Sequence, residues 1–144
     1  MWKIENINLY HCLFVRIHKS NIKPGDKSPS VSSFANTPRT DDNLSSDWCK
    51  YATPESSRQL IGKQKNKQGN YKNPFDFYIW RFNIQALMKM YVPQRIVHDP
   101  LYNEPELDGE PNNQAHSKIV GEKRENEAEF KLQIKRAGSW VIAP

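Results

Sequence analysis

Cysteine is nearly absent from this chain. Cys12 and Cys49 are the only two in 144 residues. They lie in no CxxC spacing, which excludes both a disulfide-built scaffold and a cysteine-rich zinc module. Glycine is sparse too: six scattered residues form no phosphate-cradling loop, and no G-x-S-x-G elbow occurs. Long apolar runs are also missing. The stretch LYHCLFV is interrupted by His11 and is too short to cross a bilayer, and no small-residue cleavage site follows it, so it reads as a strand. These absences favour no membrane association and a reducing, cytoplasmic setting.

Enough is present for one core. The chain is 37% hydrophobic and 26% charged, with four Trp, six Tyr and six Phe, too aromatic for a wholly disordered polymer. A globule of this length buries roughly 68 to 70% of its unfolded surface, so residues 1–144 read as a single domain. Its charge is unevenly spread. Arg58 to Arg95 holds eight basic residues against Asp76 alone, a net +7, whereas Asp99 to Pro111 holds five acids and no base. The plainer consequence is that the two patches satisfy one another; the functional one is a basic surface for nucleic acid.

Hydrophobic periodicity predicts an α+β fold, with a mixed or antiparallel sheet and two or three helices. CLFVRIH alternates as a strand. Residues 19–43 carry Pro24, Gly25, Pro29 and Pro38 among many polar residues, which predicts a loop-rich excursion with one short edge strand at SVSSFA. Ser45 and Ser46 ahead of Asp47 resemble a helix start, and Thr53-Pro54-Glu55 is a stronger one, for a helix ending at Gly62. FDFYIWRF alternates on two apolar faces, from Phe75 to Phe82, as a central strand does. Asn83 then caps a helix with Ile84, Leu87, Met88 and Tyr91 as its core face. QRIVH and AHSKIVG read as an antiparallel pair around an acidic loop, 99–113. NEAEFKLQIKR reads as a helix capped by Asn126 and ended by Gly138, followed by a strand at WVI.

The residues with chemical potential are few. A hairpin closing the acidic loop would set His98 and His116 at facing strand ends, one as base and one as acid, with Asp99 orienting an imidazole. Arg16, Arg95 or Lys118 would then hold an anionic substrate. The plainer alternative is two histidines that merely finish strands. Metal binding is not expected, because no ligand spacing fits a zinc pattern and His11 and His18 fall on opposite faces of a strand. No cofactor is expected either. The basic stretch, with Lys63, Lys65, Lys67 and Lys72 around Tyr71, would contact phosphates and stack a base, or would simply be a solvated loop. Caps and turns explain the serine clusters SPSVSSFA, LSSDW and ESSR.

The stretches LFVRIHKS, SVSSFA, LSSDWCKYATPE and VHDPLYNEPELDGEPNNQAHSKIVGEK resemble a group of small uncharacterised bacterial proteins. Those share a His-Asp-Pro-Leu to Ala-His motif pair with a shorter loop between the histidines. The resemblance implies a bacterial, cytoplasmic, single-domain protein. It attaches no activity, and it gives the histidines more weight than the loop's charge. Two functions are therefore expected: an interaction domain contacting a partner protein or nucleic acid, or a small hydrolase or transferase using His98 and His116.

Overall fold

The alternation in CLFVRIH puts Leu13, Val15 and Ile17 on one face of a strand and Cys12, Phe14 and Arg16 on the other. The computed structural model, which describes residues 1–102 and 112–144, forms that strand at Cys12–His18, here β1. The remaining elements follow as β2 (Leu44–Trp48), α1 (Pro54–Leu60), β3 (Phe77–Asn83), α2 (Ile84–Met88), β4 (Arg95–His98), β5 (His116–Val120), α3 (Ala128–Arg136) and β6 (Gly138–Ile142). The six strands make one antiparallel sheet in the order β4-β5-β2-β1-β3-β6, so the fold is α+β. No helix among the described residues is long and apolar enough to cross a membrane. Of the acidic segment, 103–111 lies outside the described residues.

One face of the sheet carries the main core. Leu13, Val15, Ile17, Leu44, Trp48, Trp80, Phe82 and Ile119 are buried there against Ile84 and Leu87 of α2 and Phe130 and Ile134 of α3. Among the described residues the opposite face holds a smaller cluster, Cys12, Phe14 and Ile79, with Cys49, Ala52 and Ile142 packed against it. Helix α1 packs over that face at β1 and β3. Its start is the expected one: Thr53 Oγ1 accepts from the Ser56 amide at 3.0 Å while Ser56 Oγ accepts from the Thr53 amide at 2.9 Å, a reciprocal cap with Pro54 in the first turn. Among the described residues, α1 reaches β2 through the bond from Ser57 to Asp47, and its main packing is on β1 and β3.

Several local expectations give way to tertiary structure. LSSDW starts no helix; it is strand β2, between β1 and β5. SVSSFA is not an edge strand but a 3-10 turn over Val31–Phe34, and Phe34 is fully buried within the main core. Phe75 falls short of β3 and is 73% exposed. Helix α2 stops after five residues, so only Ile84 and Leu87 reach the core, while Met88 and Tyr91 are 40% and 42% exposed. The α3 cap is Glu127, not Asn126, and Gly138 opens the next strand.

Gly138 is there because of close approach. A Cβ at this position would sit 2.5 Å from the Arg81 carbonyl oxygen and overlap the buried Trp80 indole. Gly138→Ala is therefore expected to cost about 1 to 3 kcal/mol, the range for overpacking a filled site. Urea unfolding would measure it, and an unchanged midpoint would show that β6 shifts freely.

Candidate functional site

Strand β1 pairs with β3 along all seven of its residues but with β2 at only two positions, Leu13↔Trp48 and Phe14↔Asp47. Beyond these pairs the two strands part. A cleft of about 490 Å³ is lined by Val15 and Arg16 on one side and by Leu44 to Asp47 on the other. The segment 32–41 supplies further wall, and Gln64, Asp99, Asn113, His116 and Lys118 are among the other residues that line it.

Strand alternation aims the chemistry into this space. Ser45 pairs with Lys118 and Asp47 with His116 across the β2–β5 ladder, so these four side chains share the α1 face of the sheet. Asp47 is 3% exposed and fully partnered: Arg16 Nη2 donates to it at 3.0 Å, Asn113 Nδ2 at 2.7 Å, and the Ser57 hydroxyl closely. Burial alone would raise its pKa. The Arg16 guanidinium, with the Ser57 and Asn113 hydrogen bonds, outweighs that and holds the carboxyl below its ordinary value.

His116 is buried, and its two nitrogens have different partners. Nδ1 lies 2.8 Å from the Asp99 carbonyl oxygen and 3.5 Å from the Asp99 carboxylate. Nε2 lies 2.7 Å from Ser45 Oγ. A carbonyl only accepts, so in the neutral imidazole Nδ1 carries the proton and Nε2 presents its lone pair to the Ser45 hydroxyl. The bond to His116 lowers the Asp99 pKa, with Lys118 assisting against burial. Lys118 Nζ is held by Asp41 at 2.9 Å and Asp99 at 3.6 Å, and Asp41 foremost raises its pKa.

The two histidines do not converge. Strands β4 and β5 do pair antiparallel, and the Asp99 amide donates to the His116 carbonyl. But His98 faces Ser117 across the ladder, one residue from His116, and so points to the opposite side of the sheet. There it is 2% exposed, packed against Trp48 and Tyr51 at 5.2 and 6.1 Å between ring centroids. Its Nδ1 accepts from the Glu5 amide at 3.0 Å, and its Nε2 donates to the Gln114 carbonyl at 2.7 Å. Both nitrogens of His98 are therefore hydrogen-bonded, on the side of the sheet away from His116 and the cleft.

The remaining candidates scatter. Arg95 is exposed on edge strand β4, outside the cleft lining, whereas the lysine loop joins α1 to β3 and reaches the cleft through Gln64, none of its lysines lining it. Arg16 and Lys118 do line the cleft, but both are already ion-paired. Lys63 and Lys67 are exposed, Lys65 pairs with Tyr71, and Lys72 Nζ donates to Gln64 at 3.4 Å. Elsewhere, His11 Nδ1 accepts from the Trp48 indole and His18 Nδ1 from the Ser20 amide. Among the described residues no group of three His, Cys, Asp or Glu side chains is placed to hold a metal ion.

Reading the serines as caps and turns missed Ser45 and Ser57, and Asn113 was read only as the end of the acidic loop. The available signal was the Ser-x-Asp spacing of LSSDW, which places Ser45 and Asp47 on one face once the segment is a strand. Comparison of the chain with models of known families, with curated proteins and with solved structures found no match.

Proposed function

We propose that the protein is a small hydrolase or transferase that activates the Ser45 hydroxyl through His116, replacing the two-histidine scheme with a serine–histidine one. The observation carrying this reading is the 2.7 Å contact between Ser45 Oγ and His116 Nε2, on an imidazole oriented through Nδ1 by Asp99. A hydroxyl, a base and a group that orients the base are the parts of an activated nucleophile. They border a cleft large enough for a small ligand.

The charges favour an uncharged carbonyl substrate. The cleft holds carboxylates at Asp41, Asp47 and Asp99 against cations at Arg16 and Lys118, both already paired, which disfavours an anion. Ser45 Oγ would attack the carbonyl carbon of an ester or amide while His116 takes its proton. The attack gives a tetrahedral intermediate bonded to Ser45 Oγ. Collapse expels the leaving group, which receives the proton from His116. Water, or another hydroxyl or amine, then takes the acyl group from Ser45.

A fluorophosphonate probe tests this. We expect one covalent adduct, mapped to Ser45 by peptide mass spectrometry and absent from Ser45→Ala, whose melting temperature should not move because Ser45 is exposed. His116→Gln should slow labelling by roughly 10² to 10⁴, the usual range for a general base. A wild-type protein that takes up no probe, or takes it elsewhere, would overturn the proposal.

A further inference from the structure

We infer that the corner formed by the end of α1 and the loop leading to β3 binds single-stranded nucleic acid, using Tyr71 and Phe75 as stacking platforms. This inference is independent of the cleft chemistry. Tyr71 is 67% exposed and Phe75 is 73% exposed. A cation stands over each ring: Lys65 Nζ is 5.2 Å from the Tyr71 centroid, and Arg58 Cζ is 4.8 Å from that of Phe75. The cations hold the rings in place, and the large exposure leaves ring surface on which a base can stack.

The support is ordered before any ligand arrives. Asn66 Oδ1 accepts from the Gln68 and Asn70 amides, both at 3.0 Å, and the Asn66 amide donates to the Asn70 carbonyl at 2.8 Å. Gly69 takes the left-handed φ of 83° that this turn needs. Arg58 Nε donates to the Pro74 carbonyl at 3.1 Å, and Asn73 Oδ1 accepts from the Phe75 amide at 3.0 Å, tying the second ring to α1. Little ordering therefore remains to oppose binding.

Charge selects the partner. Arg58 to Phe75 contains five basic residues and no carboxylate. Of the acids flanking that segment, Asp76 is paired to Lys19 at 3.0 Å and Glu55 is exposed on α1. Phosphates match this field, and unpaired bases match the rings. A duplex hides its base faces, and Asp and Glu side chains carry no flat ring of their own, whereas every nucleotide of a single strand brings both a phosphate and a ring, so the single strand fits best. The surface is narrower than the basic stretch Arg58 to Arg95: Arg95 lies apart on edge strand β4, and Phe75 joins as a second platform.

Fluorescence anisotropy with a labelled oligothymidylate at about 50 mM salt, where phosphate contacts are strongest, tests the inference. We expect saturable binding that is weaker for the matching duplex. Tyr71→Ala and Phe75→Ala should each weaken it about tenfold, in line with the loss of one stacked base, while Tyr71→Phe retains it. The joint change of Lys63, Lys65 and Lys67 to Gln should reduce the salt slope by roughly two, at about 0.7 per phosphate contact. Absence of binding, equal binding of the duplex, or binding that survives both alanine changes would overturn the inference. Polyglutamate bound as tightly as the oligonucleotide would point instead to an acidic protein partner and would overturn it as well.

Discussion

Asp47→Ala is expected to destabilise the protein by about 3 to 5 kcal/mol, the usual cost of stranding one partner of a buried ion pair. Asp47 is the acceptor that joins four parts of the chain: Arg16 on β1, its own strand β2, Ser57 on α1, and Asn113 just before β5. Alanine removes the carboxylate and leaves the Arg16 guanidinium in a site where its side chain is only 20% exposed, with Ser57 Oγ at 3.5 Å from Nε. Asn113 would lose a buried acceptor as well. Asp47→Asn keeps the volume but removes the charge, so it should fall between wild type and alanine.

Acid should reveal the same network. The Asp47 carboxyl has a folded pKa below its ordinary value of about 4. Its contribution is therefore present above that ordinary value and is lost as pH falls through the lower, folded value. The stability gap between wild type and Asp47→Asn should be widest near neutrality and should shrink as pH falls below about 4. Urea unfolding across that range measures it. A gap that does not change with pH would mean that the charge of Asp47 contributes little.

Phe34→Ala is expected to cost about 3 to 5 kcal/mol, as for other large aromatic residues removed from a filled core. Phe34 is fully buried, with its ring centroid 5.0 Å from that of Phe82 and 5.9 Å from that of Trp80. Its two predecessors, Ser32 and Ser33, line the cleft, so the same substitution should also loosen that wall. The expected result is a large fall in unfolding midpoint together with slower probe labelling of Ser45. A loss of less than about 1 kcal/mol, typical of a surface site, would show that residues 31–34 sit outside the cooperative core.

Elements with strong local patterns were legible without the structure. The strict alternation of CLFVRIH, the Thr-Pro-Glu start of α1, Asn83 as the α2 cap, and the four residues of β4 all follow from side-chain periodicity and backbone capping, which act within a few residues. Segments that depend on a distant partner were not legible. LSSDW carries helix-start residues, yet hydrogen bonds to β1 and β5 make it a strand. Phe34 sits in a proline-rich, polar stretch, and only the position of Trp80 and Phe82 makes it core.

The candidate site divides the same way. His116, Asp99, Arg16 and Lys118 stood out as residues with chemistry to offer, and all four line the cleft. What the sequence by itself determined was the α+β class, most strand and helix positions, and this inventory of reactive groups, because composition and short-range periodicity are properties of neighbouring residues. Only the tertiary structure decided which groups meet. Ladder register sets side chains to one face or the other in steps of a single residue. That step turned His98 into a packed ring behind the sheet and brought His116 against Ser45, in a cleft that exists because β1 and β2 pair at only two positions.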